Sequence, residues 1–136
     1  MARTRIVSVG YEGRTPSELL RLLAAERVTR LLDVRELPLS RRKGFSKTPL
    51  SRSLQQAGIE YRHLPEAGNP YRRTSSPLVP YRRRLRQHPE IVRAVAAELA
   101  PRVAVLCVCR EHERCHRGVL LAELSRRRPL SILALE

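Results

Sequence analysis

Residues 103–124 read VAVLCVCREHERCHRGVLLAEL, an apolar run, a polar turn and a second apolar segment. The run from Val103 to Val108 predicts a buried strand, and the segment from Cys115 to Leu124 predicts a helix. All three cysteines and two of the four histidines of the chain lie in or beside the turn between them. In an open α/β sheet such a turn lies at the carboxyl ends of the strands, where ligands bind, and the helix that follows presents free N–H groups to an anion.

The same alternation of strand and helix extends over the whole chain. Strands are predicted at residues 6–9, 31–35, 59–64, 103–108 and 130–135, with helices between them. Thr15, Pro16 and Glu18 mark the start of the first helix as N-cap, first helical residue and capping-box partner. The order βαβαβαβαβ predicts one α/β domain over residues 1–136, a Rossmann-like three-layer sandwich with a mostly parallel sheet of about five strands.

Length and composition are typical of a globular protein. The chain has 136 residues, 42% of them hydrophobic. No run approaches the roughly 20 apolar residues that cross a bilayer, and the start from Met1 to Arg5 has no apolar signal segment. We therefore expect a cytoplasmic protein without a membrane partner. Three cysteines crowded at one turn indicate thiols rather than the disulfide framework of a secreted protein.

The chain is strongly basic, with 27 Lys and Arg against 13 Asp and Glu and a net charge of +14. One explanation is a phosphate-bearing ligand or nucleic acid, since guanidinium groups pair with phosphates at two points. The other is a genome rich in arginine codons. Clustering favours the first, because two of the clusters fall in loops near the cysteine turn. The clusters are Arg41-Arg42-Lys43, Arg72-Arg73, Arg82-Arg83-Arg84 with Arg86, and Arg126-Arg127-Arg128.

Polar residues are predicted to converge at the carboxyl ends of the first four strands. They are Tyr11 and Glu12, Asp33 and Arg35, His63, and the turn from Cys109 to Arg117. Asp33 stands inside an apolar strand, so its carboxylate is expected to be only partly exposed and close to a cation such as Arg35. Such a carboxylate is a candidate general base or an anchor for an arginine.

The motifs at these strand ends resemble those of a known family. They are Gly10-Tyr11-Glu12, Asp33-Val34-Arg35 with Pro38 and Ser40, Gly44-Phe45-Ser46-Lys47, Gly58-Ile59 with Tyr61 and His63, and Leu106-Cys107 with Cys115-His116-Arg117. Their order and spacing are similar to those of the domain-of-unknown-function 488 family over nearly the whole chain. The resemblance implies a Rossmann-like α/β domain and leaves the activity open. Many members carry Glu where this chain has Cys109, so a mechanism that needs that carboxylate is in doubt here unless Glu111 replaces it.

Three chemistries fit the cysteine turn. In the first, Arg117 and the start of its helix bind a phosphate while His116, Asp33 or Glu12 moves protons. In the second, Cys115 is a nucleophilic or redox thiol, acidified by the helix N-terminus and by Arg114 and Arg117.

The third chemistry is a zinc or iron site. Its ligands would be Cys107, Cys109 and Cys115 with either His116 or His112. Two features count against it, the absence of a Cys-x-x-Cys knuckle and the expectation that Cys107 points into the sheet interior as a small buried side chain.

From the first chemistry we predict a protein that binds, and as a further expectation processes, a phosphate-bearing nucleotide or nucleic acid at the carboxyl ends of the strands. A non-catalytic basic nucleic-acid-binding module and a thiol redox or metal-binding protein stay open as alternatives, and no cofactor is strongly implied. Asp33 and Arg117 are both expected at a rim that solvent reaches. The predicted catalytic residues are Glu12, Asp33, Cys115 and His116, and the predicted substrate-binding residues are Tyr11, Arg35, Ser40, His63 and Arg117.

Overall fold

Five strands and five α-helices alternate along residues 4–136, the residues described by the computed structural model, except that two consecutive helices precede the fourth strand. The signal-segment prediction rests partly on residues 1–3, outside the described residues. The elements are β1 (Thr4–Gly10), α1 (Pro16–Ala25), β2 (Arg30–Asp33), α2 (Lys47–Gln56), β3 (Glu60–His63), α3 (Leu78–Gln87), α4 (Pro89–Ala97), β4 (Arg102–Cys107), α5 (His116–Ser125) and β5 (Leu130–Leu135). Two short 3₁₀ turns, Pro65–Ala67 and His112–Arg114, lie in the connections. Within this part of the chain no helix is both long and apolar enough to cross a membrane.

Local signals in the sequence place the helix boundaries. Thr15 caps α1, because its hydroxyl accepts a hydrogen bond from the backbone N–H of Glu18 at 3.1 Å. Between α3 and α4 the helix breaks at His88, because Pro89 disfavours helical geometry in the residue before it and is itself well placed to open the next helix. The predicted start of α1 is confirmed.

The five strands form one parallel sheet in the order β3-β2-β4-β1-β5. All carboxyl ends therefore lie along one edge, as predicted. The residues at these ends are Gly10, Asp33, His63, Cys107 and Leu135.

Helices cover both faces of the sheet, and this confirms the predicted three-layer α/β fold. The helices α1 and α2 pack apolar residues such as Leu19 and Leu54 on one face. The helices α3, α4 and α5 pack residues such as Tyr81 and Leu120 on the other. The connection after β4 thus leaves toward the opposite face from those after its neighbours β1 and β2. Ligands of open α/β sheets bind where neighbouring connections diverge in this way, so the end of β4 is the expected location of a site.

Candidate functional site

The side chains at the carboxyl edge of the sheet form two neighbouring clusters rather than one. We call the first the ion-pair cluster, and it consists of Tyr11, Asp33, Arg35, Phe45, Tyr61 and His63. We call the second the sulfur cluster, and it consists of Ser8, Cys107, Cys109, Cys115, His116 and Arg117. The described hydrogen bonds link them through the backbone, since Nε2 of His116 lies 2.8 Å from the carbonyl oxygen of Val34.

Asp33 and Arg35 form the centre of the ion-pair cluster. The guanidinium donates at two points, from Nε to Oδ1 at 2.8 Å and from Nη2 to Oδ2 at 2.6 Å. Asp33 has no exposed surface and Arg35 is 4% exposed. The expectation that Asp33 is partly exposed at a rim is therefore wrong, because the arginine and its neighbours cover the carboxylate completely. Burial lowers the pKa of Arg35, but the hydrogen bonds and charge of Asp33 outweigh burial and raise it.

Three further residues complete the bonding of this pair. The hydroxyl of Tyr61 donates to Oδ2 of Asp33 at 2.5 Å, while Nη1 of Arg35 donates to the carbonyl oxygen of Phe45 at 2.6 Å. Tyr11 stacks on Phe45 with 4.4 Å between ring centroids. Burial and the bond to Asp33 raise the pKa of the Tyr61 hydroxyl. Both oxygens of Asp33 thus accept from protein donors, which favours a structural role; a role as general base stays a prediction.

The remaining predicted residues lie beside these clusters. Nε2 of His63 is 2.8 Å from the carbonyl oxygen of Arg35, so His63 supports the ion-pair cluster. Ser40 belongs to the loop after β2, where its hydroxyl accepts from the backbone N–H of Arg42. The side chain of Glu12 is exposed. The structure does not bring Ser40 or Glu12 into contact with the sulfur cluster, and their predicted roles stay predictions.

The three cysteines meet at the end of β4, where their Sγ atoms all lie within 4.8 Å of one another. Cys107 ends the strand and Cys115 is the N-cap of α5, and their Sγ atoms are 2.7 Å apart. Cys107 and Cys115 are each 1% exposed, whereas Cys109 is half-buried. The prediction that Cys107 points into the sheet interior is confirmed. Gly10 lets the cysteine turn cross the end of β1, because a Cβ there would be 1.7 Å from the carbonyl oxygen of Cys109.

Arg117 is fully buried beneath the cysteine turn. Its Nε donates to Sγ of Cys107 at 3.0 Å, its Nη1 to Oγ of Ser8 at 2.7 Å, and its Nη2 to the carbonyl oxygen of Cys109. The expected position at a rim is wrong, because the start of α5 faces the sheet and directs this side chain inward. None of these partners is a carboxylate. A buried cation needs a compensating charge, and the neighbouring sulfurs are the groups able to supply it.

The three thiols differ in acidity. Hydrogen bonds from Cys107 and Cys109 hold the pKa of the Cys115 thiol well below its usual range. Burial, followed by hydrogen bonding to the other two thiols, raises the pKa of Cys107. For Cys109 the bond with Cys107 lowers the pKa, but the bond with Cys115 and burial outweigh it and raise the pKa to about 11. Cys115 is therefore the most acidic of the three thiols, and the hydrogen bonds from the other two are the largest cause.

One backbone carbonyl and two side chains surround the imidazole of His116. Because the Val34 carbonyl can only accept, Nε2 of His116 carries the hydrogen, and Nδ1 faces Sγ of Cys115 at 3.6 Å. The ring also packs edge-on against Tyr81, with 5.3 Å between centroids.

Ser8 is a member of the sulfur cluster that the sequence interpretation missed. Its Oγ accepts from Arg117, so its hydroxyl hydrogen points to Nδ1 of His112 at 2.6 Å. Burial and the charge of Arg117 lower the pKa of His112, in agreement with a neutral ring that accepts this bond. The available signal was a polar residue within the apolar run from Ile6 to Val9.

A cleft of about 130 Å³ opens where the two clusters meet. It is lined by Arg35, Glu36, Leu37, Asn69, Arg72, Cys107, Val108, Cys109 and His116. Arg35 is bound to Asp33 and Arg72 to Glu36, so both arginines of the lining already have carboxylate partners. The cleft is therefore poorly suited to a phosphate. The start of α5, where the sequence interpretation places an anion, lies under the turn His112–Arg114, and a Cβ at Gly118 would be 2.5 Å from the His112 carbonyl oxygen.

Comparison with known proteins found a match to one family model. The family model described as Domain of unknown function DUF488 matches residues 15–124, which include most of both clusters. The match confirms the resemblance carried by the sequence motifs. Neither a curated protein nor a solved structure matches the chain.

Proposed function

This chain belongs to the DUF488 family, and we propose that it binds nucleic acid along a basic groove between α3 and the end of α5. The groove is formed by Val79, Arg82, Arg83, Arg86, Arg126 and Arg127. Adjoining surface depressions share Arg82 or Arg86, so they lie side by side along α3. The end of the groove nearest the carboxyl edge of the sheet, which we call its upper end, reaches His112 and Glu113 of the cysteine turn.

The observation that carries the proposal is the set of exposed arginines in this groove that lack carboxylate partners. Arg82, Arg83 and Arg127 are exposed, and none makes an ion pair with a described carboxylate in residues 4–136. Arg86 and Arg126 share one carboxylate, that of Glu123, at 3.1 and 3.5 Å. The groove therefore has an excess of guanidinium groups, which bind phosphates at two points.

Helix geometry arranges these groups in a line. Positions 79, 82, 83 and 86 lie on one face of α3, because residues three and four apart are neighbours on a helix. The ten residues of α3 extend over about 15 Å, which matches roughly four phosphates of one strand at about 3.4 Å each. An extended polyanion fits this spacing better than a single phosphate group. Tyr and Phe do not occur among the groove residues, so we propose a duplex backbone rather than a single strand bound by base stacking.

Binding can be measured by fluorescence anisotropy with a short labelled DNA or RNA duplex over a series of salt concentrations. We expect the logarithm of affinity to fall linearly with the logarithm of salt concentration, by about 0.9 for each phosphate contact. The triple variant Arg82→Gln, Arg83→Gln, Arg127→Gln should reduce this slope by about two to three and weaken binding more than about tenfold near 50 mM salt.

A matched control removes the same charge from the opposite face of the sheet. Arg21, Arg27 and Arg52 are exposed residues on or next to α1 and α2, and their triple replacement by Gln should change binding much less. Equal losses in the two triple variants would attribute binding to net charge alone. Absence of binding at about 50 mM salt, where such contacts are strong, would contradict the proposal directly.

A further inference from the structure

We propose that Cys107, Cys109, Cys115 and His116 bind one zinc ion, and that the buried guanidinium of Arg117 balances the charge of this centre. The proposal concerns the sulfur cluster and is independent of nucleic-acid binding by the basic groove. Three thiolates and one imidazole are a common ligand set for structural zinc.

The positions of the three sulfurs bring them to one site, and His116 lies beside it next to Cys115. With Zn–S distances of about 2.3 Å and a Zn–N distance of about 2.0 to 2.1 Å, the edges of the tetrahedron are about 3.8 Å between sulfurs and about 3.6 Å between sulfur and nitrogen. All three Sγ atoms lie within 4.8 Å of one another, and Sγ of Cys115 is 3.6 Å from Nδ1 of His116. To form the tetrahedron, the 2.7 Å between Cys107 and Cys115 must open by about 1 Å, and Nδ1 of His116, which is not in the 4.8 Å group of the three sulfurs, must move toward them.

The imidazole of His116 already has the orientation of a metal ligand. Its Nε2–H donates to the carbonyl of Val34 and leaves the lone pair of Nδ1 facing Sγ of Cys115. A backbone carbonyl bound to the distal nitrogen is the usual outer partner of a zinc-binding histidine, because it selects the tautomer and fixes the ring. Tyr81 restrains the same ring from its side.

Charge balance points to an anionic centre. Three thiolates and one Zn²⁺ carry a net charge of −1, and Arg117, which is fully buried and donates to Sγ of Cys107 at 3.0 Å, carries +1. Three neutral thiols would leave this cation buried without compensation, so the cluster must carry a negative charge, either on the Cys115 thiolate alone or on three thiolates bound to Zn²⁺. A disulfide between Cys107 and Cys115 is also neutral and would leave the same deficit, so the charge of Arg117 favours the metal over the disulfide.

The fold provides both a route to the site and a role for the metal. Cys107, Cys109 and His116 line the cleft at the carboxyl edge, which allows an ion to enter. Four protein ligands make a closed centre, which is typical of structural rather than catalytic zinc. Zinc would fasten the end of β4 to the start of α5 and hold the turn between them, which forms the upper end of the basic groove.

The first experiment determines metal content. The full chain, purified under reducing conditions, should contain one zinc per molecule by elemental mass spectrometry. Cobalt exchanged for zinc should produce d–d bands of tetrahedral geometry and a thiolate-to-cobalt charge-transfer band whose intensity corresponds to three sulfur ligands. Failure to retain stoichiometric zinc after zinc is added would overturn the proposal, and so would an intact mass of the untreated protein lower by two hydrogens, as a disulfide requires.

Single substitutions then test the ligands. Cys109→Ser should reduce the charge-transfer intensity to that of two sulfurs, and His116→Gln should weaken zinc in a chelator competition by more than the roughly 10- to 100-fold typical of losing an outer partner. His88→Gln is the matched control, because His88 is exposed and far along the chain from the cluster. Unchanged zinc affinity and spectrum in both ligand variants would overturn the assignment.

The role of Arg117 has its own test. Arg117→Lys keeps the positive charge and Arg117→Met removes it. Cobalt should therefore bind at least about tenfold more tightly to the Lys variant than to the Met variant, which is the size of effect typical of losing an outer partner. Equal affinities would overturn charge balance by Arg117. Circular dichroism checks folding, and the ligand variants keep the zinc proposal testable if the Met variant does not fold.

Discussion

The carboxylate of Asp33 and the guanidinium of Arg35, two residues apart in the chain, form a fully enclosed ion pair with N–O distances of 2.8 and 2.6 Å. Asp33 is the last residue of β2, and Arg35 also donates to the carbonyl of Phe45. The pair therefore ties the end of the strand to the far end of the following loop. Removing two charges from water is costly, and the additional hydrogen bonds from Tyr61 and to Phe45 offset part of that cost.

Replacing Asp33 by Asn should lower the free energy of unfolding by about 3 to 5 kcal/mol, because it leaves the Arg35 charge buried without a partner. Urea denaturation measures the change. Glu36→Gln breaks the partly exposed pair with Arg72 and should cost no more than about 1 kcal/mol. A similarly small loss for the Asp33 variant would show that Arg35 finds another counter-charge.

Tyr61 should make stability depend on alkaline pH. Burial and its bond to Asp33 raise its pKa in the folded protein above the unfolded value of about 10. The stabilising effect is then complete below about pH 10 and is lost as pH rises toward the folded pKa. Tyr61→Phe should flatten the decline in unfolding free energy above pH 10, and the remaining decline should come from Tyr81, Cys107 and Cys109, whose pKa values are also raised. Tyr71→Phe, the control, should retain the wild-type slope, and an unaltered slope in Tyr61→Phe would argue against this coupling.

Ser8→Ala should destabilise the sulfur cluster. The change leaves a buried N–H of Arg117 without its acceptor and Nδ1 of His112 without its donor. Loss of a buried bond to a charged group costs about 1.5 to 3 kcal/mol, which thermal or urea denaturation resolves. Ser131 is exposed on β5, and Ser131→Ala should stay within about 0.5 kcal/mol of wild type. Matching effects in the two variants would mean that Arg117 does not depend on Ser8.

Gly10→Ala should displace the cysteine turn, because the added Cβ would lie 1.7 Å from the carbonyl oxygen of Cys109. The backbone must move to relieve this overlap, and overpacking of this kind costs about 1 to 3 kcal/mol or more. Faster reaction of Cys109 with a thiol reagent in metal-free protein would report the displacement. Gly58 is the control, since a Cβ there has no neighbour within 4 Å and only its φ of +77° opposes substitution, at about 1 to 2 kcal/mol. Wild-type stability and reactivity in Gly10→Ala would contradict the close approach.

The features that followed from the sequence are those that depend on neighbours along the chain. Thr15 and Pro16 mark the start of α1 through local hydrogen bonding and a fixed backbone angle, so its position was readable directly. The alternation of strands and helices predicted the parallel sheet, and with it the meeting of Asp33 and Cys107 at one edge. The family motifs at the strand ends were likewise visible in the chain itself.

Only the tertiary structure decided which of these polar groups are buried and which of them meet. Arg117 and Asp33 were expected at a rim, yet both are fully enclosed. The enclosure of Arg117 depends on Ser8, 109 positions away, and that of Asp33 on Tyr61, 28 positions away. Hydrophobic periodicity reports the face that a residue occupies, but the desolvation of a charge is determined by long-range partners that satisfy it. For this reason the sequence located the edge of the sheet, while the packing divided that edge into an ion-pair cluster and a sulfur cluster.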